Sequence, residues 1–168
     1  MTAIALRPEP LTPEGFAPFG TVLRFDDRTA RPVNENTARR SDTTALFTAP
    51  AGTRPHLALY RAEPQMLPLA LSLFERHPEA AQSFLSISVS RFLLVVAPPD
   101  ADGLPDATRA RAFVGHAGTG LSYRPNQWHT PILALGQAGD LAMLMAEHGD
   151  ARDCVEHRLA RPLTILKP

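Results

Sequence analysis

The stretch GLSYRPNQWHTP, residues 120–131, is the part of the sequence that indicates the fold most clearly. It reads as a strand, a sharp turn and the start of a second strand, because Pro125 fixes its own φ and pushes Arg124 towards an extended conformation. Trp128 supplies a large apolar wall, and His129 is a side chain whose charge changes near neutral pH. Such a hairpin could line the site of a small polar ligand. It could equally be a proline-stiffened turn with a core tryptophan and a hydrogen-bonded histidine.

Short apolar runs separated by Gly, Pro and Asp continue on both sides of this hairpin, which is the pattern of short β-strands. The expected strands are TVLRF (21–25), TTALFTA (43–49), HLALYRAE (56–63), LSLFERH (71–77), QSFLSISVS (82–90), RFLLVVAPP (91–99), RARAFVG (109–115), GLSYRP (120–125), PILALG (131–136), DLAMLMAE (140–147) and CVEHRLARPL (154–163). RFLLVVA is apolar throughout, which predicts a strand buried on both faces. DLAMLMAE contains good helix formers, but its short length between two glycines favours a strand. The fold class predicted is all-β, a sandwich or barrel.

The N-terminal part adds a short opening strand around Ile4 and Leu6 and then one helical turn. Thr12 is placed as its N-cap, with Pro13 at the first helical position. The polar segment 26–42 reads as a long loop, which is either functional or a solvated excursion. No repeat or linker divides the chain, so residues 1–168 are expected to form a single domain.

The composition excludes several classes of function. Lys and Arg total 17 and Asp and Glu total 17, so there is no basic field for nucleic acid. The apolar runs are too short to cross a membrane, and the first ten residues lack the pattern of a secretory signal. The single cysteine, Cys154, excludes an internal disulfide and a multi-cysteine zinc site. These features predict a cytoplasmic protein.

A second polar cluster lies in FERHPEAAQSF, residues 74–84. Alternate residues of a strand share a face, so Glu75 and His77 point the same way and Arg76 points the other way. Gln82 enters the next strand, and His129 could join these side chains if the two hairpins face each other. The set could ligate a divalent cation or hydrogen-bond a small polar substrate. Small β-barrels of the cupin type build their sites from two such hairpins.

At this point the sequence resembles one known family. The segments YRAEPQMLPL, LFERHPEAAQSFL, GLSYRPNQWHTPIL and DCVEHRL, in this order, are similar to those of the ureidoglycolate lyase family of allantoin degradation. The similarity runs over residues 11–159. It falls on Asn34, Arg61, Glu75, His77, Gln82, Phe84, Tyr123, Trp128, His129, Asp153 and Cys154.

The resemblance implies a cupin-like β-barrel (a double-stranded β-helix, or jelly roll) that forms a homodimer. It also implies the cleavage of ureidoglycolate to glyoxylate and urea in purine catabolism. No organic cofactor is implied, but a divalent metal is, with nickel associated with the family. The small-molecule substrate is the expected partner, with no nucleic acid and no membrane.

Cleavage of ureidoglycolate requires a base for the hydroxyl proton, an acid for the departing urea nitrogen and a group that holds the carboxylate. His129 or His77 is expected to transfer the proton, with Tyr123 or Glu75 as its partner. Arg61 is expected to bind the carboxylate, since its planar fork matches carboxylate geometry.

A metal ion is the alternative to this arrangement. A divalent cation on His77, Gln82 and His129 could bind the hydroxyl and carboxylate oxygens and lower the hydroxyl pKa. Asn34, Gln82 and Trp128, together with Arg61, form the expected substrate-binding set.

Two departures from the family pattern keep other functions open. Ser86 stands where the family commonly has a proline after the Q-x-F element, so the turn there is expected to differ. The polar loop at 26–42 keeps only part of the pattern. A non-catalytic cupin-type module that binds small acids or regulates is therefore one alternative. A ureidoglycolate hydrolase that releases ammonia is another.

Overall fold

Two facing β-sheets make up most of the computed structural model, which describes residues 4–43, 45 and 47–168. The strands are β1 (Ala5–Leu6), β2 (Glu9–Pro10), β3 (Gly20–Arg24), β4 (Arg31–Val33), β5 (Ala38–Arg40), β6 (Arg54–Ala62), β7 (Pro64–Gln65), β8 (Leu69–Arg76), β9 (Gln82–Ser86), β10 (Arg91–Ala97), β11 (Arg111–His116), β12 (Thr119–Tyr123), β13 (Trp128–His129), β14 (Leu133–Leu135), β15 (Gly139–Glu147) and β16 (Val155–Ile165). One helical turn, α1 (Pro13–Phe16), and one 3-10 turn, Ala107–Arg109, accompany them.

The larger sheet follows the order β1-β16-β8-β13-β10-β11-β2, with β14 beside β10 and β7 beside β14. The smaller sheet follows the order β3-β12-β9-β15-β6. The hairpins predicted at 74–84 and 120–131 are not formed, because β8 and β13 belong to the larger sheet and β9 and β12 belong to the smaller one, so each segment crosses from one sheet to the other. β10 and β11 do form an antiparallel hairpin, and most neighbouring strands are antiparallel. The fold is the predicted all-β, cupin-like barrel.

The apolar strand β10 is buried on both faces, as its sequence predicts. Its side chains alternate between two cores. Phe92, Leu94 and Val96 lie between the two sheets, and Leu93, Val95 and Ala97 pack on the opposite face of the larger sheet. Because β10 separates the two cores, its position fixes the spacing of the strands on either side of it.

The N-terminal helical turn is also confirmed. The Thr12 side chain accepts a hydrogen bond from the backbone N–H of Gly15 at 3.1 Å, and Pro13 begins the helix. Phe16 is fully buried and packs edge-on against Phe113, with ring centroids 5.7 Å apart. In the described part of the chain, no helix combines the length and the apolar character that a membrane crossing requires.

The prediction of an unstructured loop at 26–42 is wrong in part, because β4 and β5 form a separate two-stranded hairpin there. Its turn uses positive φ angles at Asn34, Glu35 and Asn36, a conformation that asparagine tolerates better than most residues. Of the strand predicted at 43–49, residues 44 and 46 lie outside the described residues, and the described remainder is not in a strand.

The turn after β9 closes without the proline of the family pattern. The Ser86 hydroxyl donates a hydrogen bond to the carbonyl of Val89 at 2.8 Å. The backbone N–H groups of Ile87 and Ser88 both donate to the carbonyl of Asp140, at 3.0 and 3.1 Å. These bonds tie the turn to β15, so β9 keeps its place beside β12 and β15.

The close contact between β3 and β12 leads to a prediction about stability. A Cβ atom added at Gly20 would lie 2.0 Å from the carbonyl oxygen of Ser122, a backbone atom that cannot move aside. We expect Gly20→Ala to lower the free energy of unfolding by about 3 kcal/mol, which corresponds to a fall in Tm of about 10 °C.

Gly136→Ala is the matched control for this substitution. Gly136 has a φ of +80° but nothing within 4 Å of an added Cβ, so only backbone strain of about 1 kcal/mol is expected. Thermal unfolding followed by circular dichroism measures both. Equal Tm values for the two variants would contradict the close strand contact.

Candidate active site

Four polar side chains from both sheets converge in the space between them. Glu75 in β8 and His129 in β13 are paired in register and therefore share a face, and His77 follows β8 on the same side. Gln82 approaches from β9 of the smaller sheet. The Nε2 atom of His129 lies 3.1 Å from Gln82 Oε1 and 3.5 Å from Glu75 Oε1. The two polar segments therefore meet as the sequence predicts, although each of them connects the two sheets and neither is a hairpin.

Backbone carbonyl groups fix the orientation of both imidazole rings. The Nδ1–H of His129 donates to the carbonyl of Gln127 at 2.8 Å, and the Nδ1–H of His77 donates to the carbonyl of Asp153 at 2.7 Å. A neutral imidazole that donates from Nδ1 carries a lone pair on Nε2. The Nε2 atoms of both rings are therefore directed towards the cluster and away from the backbone.

The ionisation of the cluster follows from its burial. Burial lowers the pKa of His77, which keeps that ring neutral at pH 7. Burial alone would raise the pKa of Glu75, but the hydrogen bond and charge of His129, with the charge of His77, bring the pKa of that carboxyl below its usual value. The cluster at neutral pH thus contains a carboxylate and a neutral imidazole.

This set of donor atoms fits a divalent cation. One ligand atom each from Glu75, His77 and His129 lies within 4.8 Å of the other two. The Nε2 atom of His77 is buried and has no hydrogen-bond partner among the described residues, which a bound cation would supply. Two imidazoles held by backbone carbonyls through Nδ1 are also the usual support of histidine ligands. The metal ligands predicted from the sequence are His77, Gln82 and His129. The structure adds Glu75 to the candidate ligands and places the Gln82 amide next to His129.

A cavity of about 560 Å³ opens next to the cluster. Phe84, Ile132, Met143 and Met145 form its apolar wall, and acidic side chains lie around its mouth. No Lys or Arg side chain of the described residues lines it. The cavity is of the size that a small molecule requires.

Tyr60 lines this cavity and was not identified from the sequence. Its ring packs edge-on against Phe84, with centroids 5.7 Å apart. Burial, together with the charges of Glu75 and Glu147, raises the pKa of its hydroxyl, so Tyr60 is a neutral hydrogen-bond donor at pH 7. A single tyrosine in an apolar strand carries no distinguishing signal. Only the register of β6 against β15 shows that it faces the cavity.

Tyr123 and Trp128 lie elsewhere than the sequence predicts. Tyr123 is fully buried behind His129, with stacked rings whose centroids are 3.9 Å apart, and it does not line the cavity. Trp128 precedes His129 in the same strand and therefore points to the opposite face. There its indole N–H donates to the carbonyl of Gly103 at 3.0 Å, and Arg76 lies 4.6 Å from its ring centre.

Arg61 and Asn34 are also placed away from the cavity. Arg61 follows Tyr60 in β6 and so points to the outer face of the sheet, where it forms hydrogen bonds of 2.8 and 3.0 Å to both carboxylate oxygens of Asp140. Its side chain is 74% exposed. Asn34 lies in the exposed turn of the β4–β5 hairpin. Arg61 and Asn34 are therefore not brought together with the other residues that were predicted to bind substrate.

Two residues near the C-terminus complete the surroundings of the cavity. Burial raises the pKa of Cys154 to about 11, with Glu75 adding to the effect, so its thiol stays protonated and is a poor nucleophile. Asp153 has a structural role, because its carboxylate accepts hydrogen bonds from the backbone N–H groups of His148, Gly149 and Asp150. Its own carbonyl is the group that orients His77.

Comparison with known proteins agrees with these observations. A family model described as ureidoglycolate lyase matches residues 3–166 of the chain. The chain belongs to the ureidoglycolate lyase family. Ureidoglycolate lyases from Burkholderia mallei (strain NCTC 10229) and Rhizobium etli (strain CIAT 652) are each 36% identical to it. These alignments cover 94% and 95% of this chain, and 91% and 94% of the relatives.

Other matches are similar in kind. A ureidoglycolate lyase from Burkholderia cepacia is 38% identical over 83% of this chain and 78% of the relative. Among solved structures, an oxalate decarboxylase covers 60% of this chain and 23% of its own, with 23% identity and a TM-score of 0.40, an overlap too partial to bear on function. Membership of the ureidoglycolate lyase family therefore rests on the sequence matches.

The geometry of the cluster predicts how metal binding responds to mutation. We expect His77→Ala and His129→Ala each to weaken the binding of Mn²⁺ or Ni²⁺ by about 100-fold or more. Loss of a residue that only supports a metal ligand typically costs about 10- to 100-fold, and loss of the ligand itself should cost more. Isothermal titration calorimetry on chelator-treated protein measures this.

His116→Ala serves as the control, because His116 is exposed at the end of β11. It should leave the affinity unchanged. Wild-type affinity in both the His77 and His129 variants would show that the cluster does not hold the ion.

Proposed function

We propose that this chain is a carbon–nitrogen lyase that cleaves ureidoglycolate to glyoxylate and urea. The observation that supports the proposal best is the convergence of Glu75, His77 and His129 beside a small cavity in a chain of the ureidoglycolate lyase family. The cluster brings one carboxylate and two imidazole Nε2 atoms together, so it suits a cation and, next to the cation, an oxygen-rich anion.

The ion, which we propose to be nickel or another divalent metal, would be held by Glu75, His77 and His129, with Gln82 beside them. When bound, such an ion would polarise the substrate's oxygen atoms and lower the hydroxyl pKa. Because Nδ1 of each ring is bonded to a backbone carbonyl, Nε2 is the atom that His77 and His129 would offer to the ion, and in that role they would not carry the proton. Tyr123 then acts behind them, as the surface on which the His129 ring stacks.

Glu75 is the proposed proton carrier. One of its oxygens faces His129, and the other lies 4.0 Å from the Cys154 sulfur, on the cavity side. The substrate's hydroxyl and ureido nitrogen are attached to the same carbon, so one carboxylate can reach both. Glu75 accepts the hydroxyl proton as the carbonyl of glyoxylate forms, and it returns that proton to the nitrogen as the carbon–nitrogen bond breaks. Tyr60 donates a hydrogen bond into the same cavity.

Two alternatives to the lyase function are distinguished by their products. A hydrolase would need a water aimed at the ureido carbonyl and would release ammonia. A non-catalytic small-acid-binding module would be stabilised by glyoxylate without turnover. The hydrogen bonds that tie the turn after β9 to β15 keep Gln82 in position, which favours an intact site over a degraded one.

A homodimer and a cytoplasmic location, both expected from the sequence, belong to the same proposal. The outer face of the smaller sheet carries Leu57 and Leu59, which are 66% and 74% exposed, in register with Leu85 across β15. With a formal net charge of +0, two copies do not repel each other over long distances. A two-fold axis on this face would place the same leucines opposite one another, and we propose it as the dimer interface.

The lyase function is tested by following urea, glyoxylate and ammonia released from ureidoglycolate by chelator-treated protein, with and without added Ni²⁺ or Mn²⁺. We expect equal amounts of urea and glyoxylate, with activity restored by metal. Glu75→Gln should lower kcat by about 10²- to 10⁴-fold, the range of positioned acid–base groups. Full activity in Glu75→Gln would exclude it as proton carrier, and ammonia as the first product would identify a hydrolase.

The dimer is tested by light scattering after size-exclusion chromatography. The wild type is expected at twice the 18.3 kDa chain mass, and Leu59→Arg is expected to shift it towards the monomer. Met66→Arg is the control, because Met66 is 72% exposed but lies next to β7 in the other sheet. A monomeric wild type would refute the proposed interface.

A further inference from the structure

The cavity has two chemically different ends. Glu75, His77 and Gln82 lie at the inner end, and the carboxylates of Glu147, Asp150 and Asp153 lie around the mouth. The mouth, with three carboxylates, repels an anionic group, whereas at the inner end the proposed cation would offset the charge of Glu75. The proposed lyase function therefore directs the carboxylate of ureidoglycolate to the inner end and its ureido group to the mouth. The ureido group carries several N–H donors, so the question is which acceptor at the mouth receives them.

Two of the three carboxylates at the mouth already accept hydrogen bonds from the protein on both of their oxygens. Asp153 accepts three backbone N–H bonds, at 2.7 Å from His148, 2.6 Å from Gly149 and 3.1 Å from Asp150. Asp150 receives Nε and Nη2 of Arg152 at 3.0 and 2.8 Å. Each oxygen of these two carboxylates therefore already accepts at least one hydrogen bond from the protein.

Glu147 differs from both of its neighbours. Its Oε2 atom lies 2.5 Å from His56 Nδ1, and Oε1 has no hydrogen-bond partner among the residues that the structure describes. Glu147 ends β15, and alternation along that strand places it on the same side as Met143 and Met145, which line the cavity. His56 thus holds one oxygen and fixes the direction of the other.

We propose that Glu147 determines specificity by accepting an N–H hydrogen bond from the terminal amide of the ureido group, an assignment that rests on the lyase function proposed above. His56 acts as a positioning residue for this carboxylate. A site that hydrogen-bonds a substrate N–H disfavours an analogue that lacks it, because the analogue covers the acceptor without replacing the bond to water that it displaces. Glu147 thereby selects a ureido compound over other amides of the same 2-hydroxy acid.

The test compares kcat/KM for ureidoglycolate and for N-acetyl-2-hydroxyglycine, in which a methyl group replaces the terminal amide. Wild-type enzyme is expected to prefer ureidoglycolate by about 10- to 100-fold, the range of one hydrogen bond to a charged group. Glu147→Leu removes the acceptor and should abolish most of this preference. Glyoxylate, which has no ureido group, should inhibit both proteins within about twofold of each other.

Glu79→Gln is the matched control. Glu79 is also a glutamate paired with a histidine, since its Oε2 atom lies 3.2 Å from His148 Nε2, but it does not line the cavity. The substrate preference of Glu79→Gln should therefore equal that of the wild type. Glu147→Met keeps the length of the side chain without an oxygen acceptor and gives the same readout if the leucine variant does not fold.

Failure of this assignment can be told apart from failure of the lyase function. A wild type that releases no glyoxylate from ureidoglycolate overturns both. If the wild type is active and the preference is unchanged in Glu147→Leu and Glu147→Met, the role of Glu147 alone is overturned.

Discussion

The hydrogen bonds from two imidazole Nδ1 atoms to backbone carbonyls are the constraint on which the rest of the site depends. They place the proton of each ring on Nδ1 and direct the Nε2 atoms of His77 and His129 at the centre of the cluster. The acceptor carbonyls belong to the backbone, which packing holds in place, and side-chain rotation cannot remove them. Acceptor atoms that converge in a buried region need a positive charge or a donor between them. The arrangement is stable only if a cation or a proton occupies that region.

The barrel supplies the rigidity that this arrangement needs. β10 is buried on both faces, and β13 pairs directly with it, with Val96 opposite His129. The position of the imidazole is thus set by a strand that cannot shift without disturbing both cores. Gln82 is held from the other sheet, where β9 lies between β12 and β15. The cluster therefore depends on the distance between two sheets as much as on any single loop.

Much of the fold and half of the site could be predicted from the sequence. Apolar runs between turn residues indicated nearly all the strands, and alternation correctly put Glu75 and His77 on one face. The same alternation puts Trp128 on the face opposite His129. Its aromatic ring suggests a binding-site wall, but the strand geometry excludes it from that position. The placement of Arg61 on the outer face and Tyr60 on the inner face depends on how β6 pairs with β15. Such long-range register is not encoded in local patterns.

Asp153 serves the mouth of the cavity and its interior at once. Its carboxylate gathers the segment 148–150, and its carbonyl orients His77. Moving this segment would strain the residue whose carbonyl orients His77, so a change at the mouth of the cavity would be felt by the imidazole at its inner end. One aspartate therefore couples the outer surface of the site to its interior.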